Sequence, residues 1–334
     1  MGLTRLAAVS PASLFSWYPT FAGPNDRMIF LGEDPAQPAV DLDRLVLEAG
    51  DATVDFLSSH GTLLRDGRLA AQLRDAGVAA RCQSALAITA ATDKVMVKRL
   101  LEDSGVPTPR WGRGTPPRQA ASPALLKRRS GTQSQGLTWA DTTSDPGDDG
   151  YWETYVHGVE FSVVLHREDR HTVVFPPVWK GETRTDLLPP WRRLRVCPLP
   201  SSWRDLASEL AGMAKRVAEV LDVWGFAEVE FIASGGALSV IEVNPRVSGT
   251  LRLVAMATGV RVFDQLQLVA LPSRPPATRY AAELPYDGAP LLSEDVIATS
   301  RITCAAPTPQ RVRHLIGEYV TGSAPWPDEW EAHD

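Results

Sequence analysis

Lysine is scarce in this chain of 334 residues. Of its 34 basic residues, five are lysines (Lys94, Lys98, Lys127, Lys180 and Lys215) and the rest are arginines. Ordinary basic surface positions are therefore filled by Arg, and each Lys carries more information than usual. A compact ammonium suits phosphate oxygens, whereas the planar guanidinium suits bidentate pairing. Cysteine is scarcer still: Cys82, Cys197 and Cys304 are widely separated, odd in number and without metal-ligand spacing. That excludes a disulfide framework and a zinc site and fits a reducing cytoplasm. No run approaches the roughly 18 apolar residues of a membrane span, and LAAVSPASLFSW near the start is broken by Ser and Pro, unlike a secretory apolar region. Positive charge is in deficit as well. A formal net charge of -6 and a pI near 5.6 argue against a broad nucleic-acid surface, which needs clustered cations. The P-loop pattern GxxxxGK[ST] is absent. What remains is a soluble, cytoplasmic protein whose partners are small molecules, with neither nucleic acid nor membrane.

At 44% apolar composition the chain can bury a substantial core, and its length suggests two or three lobes. Short apolar runs at MIFL (28–31) and ATVDFL (52–57) predict strands, and RDGRLAAQLRDAG predicts a helix stopped at Gly77. This alternation points to an α/β N-terminal domain, although an obvious Gly-rich first turn is missing. Thr92 or Asp93 can cap a helix through KVMVKRLLEDSG that ends at Gly105 before two prolines. ALLKRRSGTQSQGLTWA predicts strand, turn and strand. Residues 203–223 place Leu206, Leu210, Met213, Val217, Val220 and Leu221 on one stripe, a helix that covers a sheet. The tail from Pro272 is Pro-rich, with an end, WPDEWEAHD, that looks exposed.

The segment FAEVEFIASGGALSVIEVNPR carries the chemistry. Ser234-Gly235-Gly236 is a hairpin turn signal, and a hairpin centred there sets Glu230 opposite Glu242, with Asn244 on the same face by period-two alternation. Two carboxylates about 5 Å apart repel by roughly 3 kcal/mol at an effective dielectric near 20. A hard divalent cation offsets such a pair, because Mg²⁺ prefers carboxylate oxygens and also coordinates phosphates. The alternative is a solvated hairpin in which Glu242 pairs with Arg246.

Four more stretches bear on this choice. Lys94 opens a helix, and Lys127 ends a strand before a turn containing Gly131, Ser134 and Gly136, where small residues let backbone N–H groups approach phosphate oxygens. In WETYVHGVEFSV, Glu153 and Glu160 flank a turn, offering backbone hydrogen bonds to an adenine edge and a carboxylate to ribose hydroxyls. Lys180, in PPVWKGETRTD, lies on a predicted loop.

The order DK, K followed by GxxSxG, ExxxxGxE, VEF and IEVNPR resembles the ATP-grasp superfamily over roughly residues 55–270. IEVNPRVSGTLRLVAMATGV is similar to the carbamoyl-phosphate synthase large subunit, and HGTLLRDGRLAAQLRDAGV with the DK helix is similar to D-alanine:D-alanine ligases. The resemblance implies an ATP-grasp fold of α/β and α+β lobes. An N-terminal α/β pre-ATP-grasp domain would span 1–90, a linking helix and small central lobe 91–155, a C-terminal antiparallel-sheet lobe with the metal site 156–272, and an extension of unknown role 273–334.

It also implies ATP and Mg²⁺ as cofactors, two ions with Mn²⁺ as an alternative. Lys94, Lys127 and Lys180 would contact phosphates, with Gly131, Ser134 and Gly136 in the turn. Glu153 and the backbone of Tyr155 and Val156 would contact adenine, and Glu160 the ribose. Glu230, Glu242 and Asn244 would hold metal. Arg246 and Lys180 would be catalytic, and His60, Arg246, Ser248, Gly249 and Thr250 would face substrate, with Ser248 or Thr250 able to cap the helix that follows. The implied activity is ATP-dependent ligation of a carboxylate to an amine, amino acids in the first place, through an acyl phosphate. A cyclising or carboxylase-like acceptor, and a nucleotide binder without turnover, are the alternatives. Relatives are commonly homodimers. Arg65 replaces an acidic residue of the D-alanine ligases, and NPRVSGT replaces their PGM-like loop, which speaks against D-alanine ligation.

Overall fold

RLAAV and the two apolar runs that follow it have the strand character expected of buried parallel β-structure. In the computed structural model they form β1 (Arg5–Val9), β2 (Arg27–Phe30) and β3 (Thr53–Leu57), joined by α1 (Ala12–Trp17) and α2 (Leu42–Ala49). After α3 (Leu63–Asp75), β4 (Ala80–Arg81) completes a parallel sheet of order β2-β1-β3-β4. The structure describes residues 4–117, 123–131, 136–141, 143, 145–188, 192–321 and 325–330, with only the backbone of 265 and 266. Ser134 therefore lies outside the described residues.

Two helices lead out of this domain, α4 (Ala85–Thr92) and α5 (Lys94–Asp103). Asp93 caps α5 by accepting from the backbone N–H groups of Val95 and Met96, both at 3.1 Å. A small antiparallel sheet follows, made of β5 (Trp111–Gly112), β6 (Ala124–Arg128), β7 (Thr138–Ala140) and β8 (Gly150–Thr154) in the order β5-β8-β6-β7.

The large sheet begins with β9 (Val159–Glu168), β10 (His171–Val174), β11 (Val178–Glu182) and β12 (Arg195–Cys197). After α6 (Ala207–Val220) come β13 (Gly225–Ser234) and β14 (Ala237–Asn244), then α7 (Thr250–Thr258) and α8 (Gln265–Ala270). The predicted helix over 203–223 is shorter than its stripe, because Ser201–Leu206 winds as a 3₁₀ turn behind Pro200. The remaining chain does not stand apart. β15 (Tyr280–Pro285), β16 (Leu291–Leu292), β17 (Val296–Ala298) and β18 (Arg301–Ala306) extend the same sheet, in the order β14-β13-β9-β11-β12-β15-β18-β17-β16, and α9 (Pro309–Gly317) packs on it. The tail expected to be exposed instead buries Trp330 completely, stacked on Trp326 and edge-on to Tyr280.

Alternation along the central strands explains both faces of this sheet. Phe161, Val163 and Leu165 of β9 and Val229 and Phe231 of β13 pack into one core with Leu210, Ala214 and Val217 of α6. On the other face Val164 and Phe226 join α7 and, from the N-terminal domain, Trp17 and Tyr18. Glu228 and Glu230 belong to that second face. Close approach fixes the entry to β9: a Cβ on Gly158 would stand 2.1 Å from the carbonyl oxygen of Ala233, so only glycine fits. Among the described residues no helix is long and apolar enough to cross a membrane.

Candidate active site

Gly235 and Gly236 have φ of 57° and 81°, the left-handed pair that a tight two-residue hairpin turn requires. The turn sets the register of β13 against β14, with Glu230 opposite Glu242 and Glu228 opposite Asn244. A bulge after Glu230 shifts the pairing to Phe231 opposite Val240. The extra residue lets consecutive side chains, Ile241 and Glu242, both line the cleft above the sheet.

That cleft runs between the small and the large sheets. Lys94, Lys127, Glu153, Tyr155, Val156, Glu160, Glu230 and Glu242 all line it, so the structure brings together most of the predicted site from six elements and a connecting loop. Leu125 of the small sheet and Ile232 and Ile241 of the hairpin form its apolar part. Gly131 and Gly136 are not among its described lining residues.

Lysines meet the carboxylates of the cleft. Lys94 Nζ lies 2.9 Å from Glu242 Oε1, so Glu242 pairs with Lys94, while Arg246 donates to Asn244 Oδ1 at 3.0 Å. Lys127 pairs with Glu153 Oε1, and Lys98 Nζ lies 2.5 Å from Glu153 Oε2. Glu153, expected at an adenine, is thus buried between two ammonium groups. Burial pushes its carboxyl up, but Lys127 and Lys98 more than offset this and hold it below the usual range. Glu160 is paired with Arg193 at 2.8 Å.

Lys180 corrects an expectation: it lies on β11, not on a loop, with a side chain 0% exposed and Nζ 3.0 Å from Glu230 and 3.8 Å from Glu228. A bulge in β11 between Trp179 and Gly181 accompanies this placement. Lys180 is held there because burying two neighbouring carboxylates requires a compensating charge. Burial raises the Glu230 carboxyl; Lys180 pulls against this, and Glu228 and Glu242 add to the rise. Glu228 sits at about 2, where Lys180 and Arg195 overcome the effect of its burial.

His60, Arg246, Ser248 and Gly249 line a second cavity of about 290 Å³, between the N-terminal domain and α7. Thr250 does not reach it. Fully buried, Thr250 Oγ1 donates to Glu228 at 2.7 Å and accepts from Arg195 at 3.0 Å. Neither Ser248 nor Thr250 caps α7, whose N-cap is Gly249 without a side-chain cap. Burial, with Arg246 and Lys94 close by, lowers the His60 imidazole below its usual value, so it is neutral at pH 7.

Sequence reasoning missed Lys98, Glu228, Arg193 and Arg195. Lys98 and Glu228 had usable signals: one is a further member of the scarce lysines, four residues after Lys94 on the same helix, and the other is two residues before Glu230 on a strand. Lys98→Met is expected to lower the unfolding free energy by about 3 kcal/mol, since a buried carboxylate loses one of its two cations. Urea denaturation of the two proteins checks this.

The donors suit a hard cation. They are all oxygen, and ammonium groups already stand within 3.0 Å of Glu242 and Glu230. Among the described residues no three His, Cys, Asp or Glu side chains close around one point. A metal bound here would take part of its shell from outside the protein, as Mg²⁺ does with a polyphosphate.

A charged, partly apolar cleft between a small and a large antiparallel sheet, next to a parallel-sheet domain, is the architecture of a nucleotide-binding enzyme class. Residues 91–250 match the ATP-grasp domain family, and the chain carries an ATP-grasp domain in the ATP-grasp fold. That family binds ATP with Mg²⁺. The chain is 24% identical over 230 residues to a carbamoyl-phosphate synthase of Methanobrevibacter smithii, covering 65% of this chain and 62% of that protein. It thus spans about three-fifths of that relative's length. It is 28% identical over 246 residues to a D-alanine--D-alanine ligase of Oleidesulfovibrio alaskensis, covering 66% of this chain and 79% of that one. Among solved structures it is similar to an N5-carboxyaminoimidazole synthase from Aspergillus clavatus in complex with ADP and 5-aminoimidazole ribonucleotide. There the TM-score is 0.71 at 14% identity, covering 95% of this chain and 97% of that one.

Proposed function

We propose that the protein is an ATP-dependent carboxylate–amine ligase acting on small molecules, amino acids in the first place, in the cytoplasm. The observation that carries this is the run from Glu242 to Gly249. Glu242 lines the cleft that holds the lysines, and Arg246, Ser248 and Gly249 line the second cavity, so one short segment borders both. A carboxylate held in the second cavity is then within reach of a nucleotide's terminal phosphate.

Lys94 and Lys127 would bind phosphate oxygens, the backbone of Tyr155 and Val156 an adenine edge, and Glu160 the ribose. Glu153, positioned by Lys98, would hold Lys127 in place rather than touch the base. Glu230, Glu242 and Asn244 would hold Mg²⁺, which when bound supplies charge neutralisation to the triphosphate. Lys180 would balance the charge of Glu228 and Glu230 and reach phosphate only by releasing Glu230. In the reaction a carboxylate oxygen attacks the γ-phosphorus, the bond to the bridging oxygen breaks and ADP leaves. The amine nitrogen then attacks the acyl carbon, phosphate leaves, and the nitrogen loses a proton to solvent. Arg246 would offset charge that develops on the transferred phosphoryl group and later on the acyl oxygen.

ADP release measured across paired amino acids and carboxylates is expected to need both partners, with mass spectrometry showing an amide. ADP release with bicarbonate and an amine would indicate a carboxylase instead, and ATP binding without turnover under any pairing would indicate a binding protein.

A further inference from the structure

The wall of the second cavity contains more positive charge than its own carboxylate can match. Glu283 of β15 is 0% exposed, and three guanidinium groups converge on it: Arg301 at 2.5 Å, Arg252 at 3.1 Å and Arg195 at 3.5 Å. Glu283, Arg252 and Arg301 line the cavity together with Arg246, and no other carboxylate is among its described lining residues. Arg246 is also met by Glu228, Glu230 and Glu242 of the hairpin and Arg195 by Glu228, whereas Arg252 and Arg301 share the carboxylate of Glu283. Burial and the neighbouring Arg195 and Arg252 bring the Arg301 guanidinium down to about 10 despite Glu283, so it is charged at neutral pH. Buried charge left over in this way is costly unless an anion meets it.

Two buried polar atoms point to the same conclusion. Ser248 lines the cavity at 7% exposure, and its Oγ has no hydrogen-bond partner among the described residues. Buried hydroxyls without partners are rare. Arg195, behind the lining residues with Nη1 near Gly249, likewise has its Nε buried without a hydrogen-bond partner among the described residues. Ser248 immediately precedes Gly249, the uncapped N-cap of α7, where the helix dipole favours negative charge. Another part of the wall is different in kind: Pro11, Leu14 and Trp17, from α1 and the residue before it, are apolar, with Ser13 beside them. With 290 Å³ available and roughly 30 Å³ for a water-sized group, the space suits a ligand of about ten non-hydrogen atoms.

We propose that this cavity selects a small monocarboxylate with an apolar substituent, such as an aliphatic amino acid. Its carboxylate is bound by Ser248 beside the arginine cluster, and its apolar end lies against Pro11, Leu14 and Trp17. The fate of that carboxylate rests on the ligase reading above; its binding does not. The C-terminal segment expected to be an extension of unknown role supplies part of this specificity, through Glu283 and Arg301.

Calorimetric titration of the full chain tests the site without turnover, using L-leucine, L-leucinamide, 4-methylpentanoate, 4-methylpentanamide, succinate and inorganic phosphate. Each acid is expected to bind at least 10-fold more tightly than its amide, and more tightly than succinate or phosphate. Ser248→Ala is expected to weaken the acids about 10- to 100-fold, the range of one hydrogen bond to a charged group. Ser300→Glu, at an exposed rim position of the cavity, is expected to abolish acid binding and leave the fold intact. Amides that bind as well as acids, a preference for succinate or phosphate, or unchanged binding in Ser300→Glu would overturn the proposal. Acid binding with no ADP release under any pairing would sink the ligase reading and keep the site. ADP release from two substrates with no preference for acids over amides would do the reverse.

Discussion

Glu242→Gln is expected to reduce Mg²⁺-dependent ATP turnover by at least about 100-fold at saturating Mg²⁺ while leaving the protein folded. The substitution keeps the size of the side chain and removes one negative charge from a place where four site residues, Glu228, Glu230, Glu242 and Asn244, occupy paired positions of one hairpin. Losing a carboxylate ligand weakens a hard cation far more than losing an outer-shell partner, for which 10- to 100-fold is typical. Stability should change little. The exchange loses the pair with Lys94, both of whose side chains are about a quarter exposed, and such pairs contribute about 1 kcal/mol or less. It also relieves the repulsion that Glu242 exerts on Glu230. The measurement is kcat for ADP release against Mg²⁺ concentration, with thermal melting as a control. Turnover within 3-fold of the unaltered protein at saturating Mg²⁺ would remove Glu242 from the metal site.

The hairpin was readable because its information is local. Two adjacent glycines fix a turn, the turn fixes a register, and period-two alternation fixes which carboxylates share a face. The order of lobes was readable for a related reason, since lysine scarcity and five short motifs mark positions along the chain. Four of the five lysines do reach carboxylates lining or adjoining the cleft between the two antiparallel sheets. Lys180 looked like a loop residue because PPVWKGETRTD carries two prolines and a glycine. Its strand exists by pairing with β9 and β12, partners remote in sequence. Thr250 looked like a helix cap by type and position. Its hydroxyl is instead occupied by Glu228, a residue 22 positions earlier that becomes its neighbour only through the sheet. Trp330 has no local signal of burial at all, and Tyr280 and Trp326 bury it from elsewhere in the C-terminal segment.

The cluster around Glu283 is the clearest case of what the sequence hides, and it is where the largest stability effect is expected. YAAELPY and TSRITC read as ordinary β-segments. β15 pairs with β12 and β18, in registers that set Glu283 beside Arg195 on one strand and Thr303 on the other. Arg252 reaches the same carboxylate from α7 and also donates to Thr303 and Thr299. Glu283→Gln leaves three buried guanidinium groups without a countercharge at the junction of β12, β15, β18 and α7, which should cost about 3–5 kcal/mol at pH 7. The dependence on pH has a definite sign. Burial pushes the Glu283 carboxyl up, but Arg301, Arg252 and Arg195 hold it at about 2 in the folded protein against 4.5 ordinarily. A carboxyl depressed on folding contributes stability that is fully present above its unfolded value and is lost as pH falls through the folded one. At about 1.4 kcal/mol per unit this amounts to roughly 3 kcal/mol, withdrawn progressively between about pH 4.5 and pH 2. Urea unfolding of both proteins at pH 7, 5, 4 and 3 should therefore show a gap that is constant from pH 7 to 5 and narrows below. A gap of the same size at every pH would mean that Glu283 acts through packing and hydrogen bonds rather than through its charge.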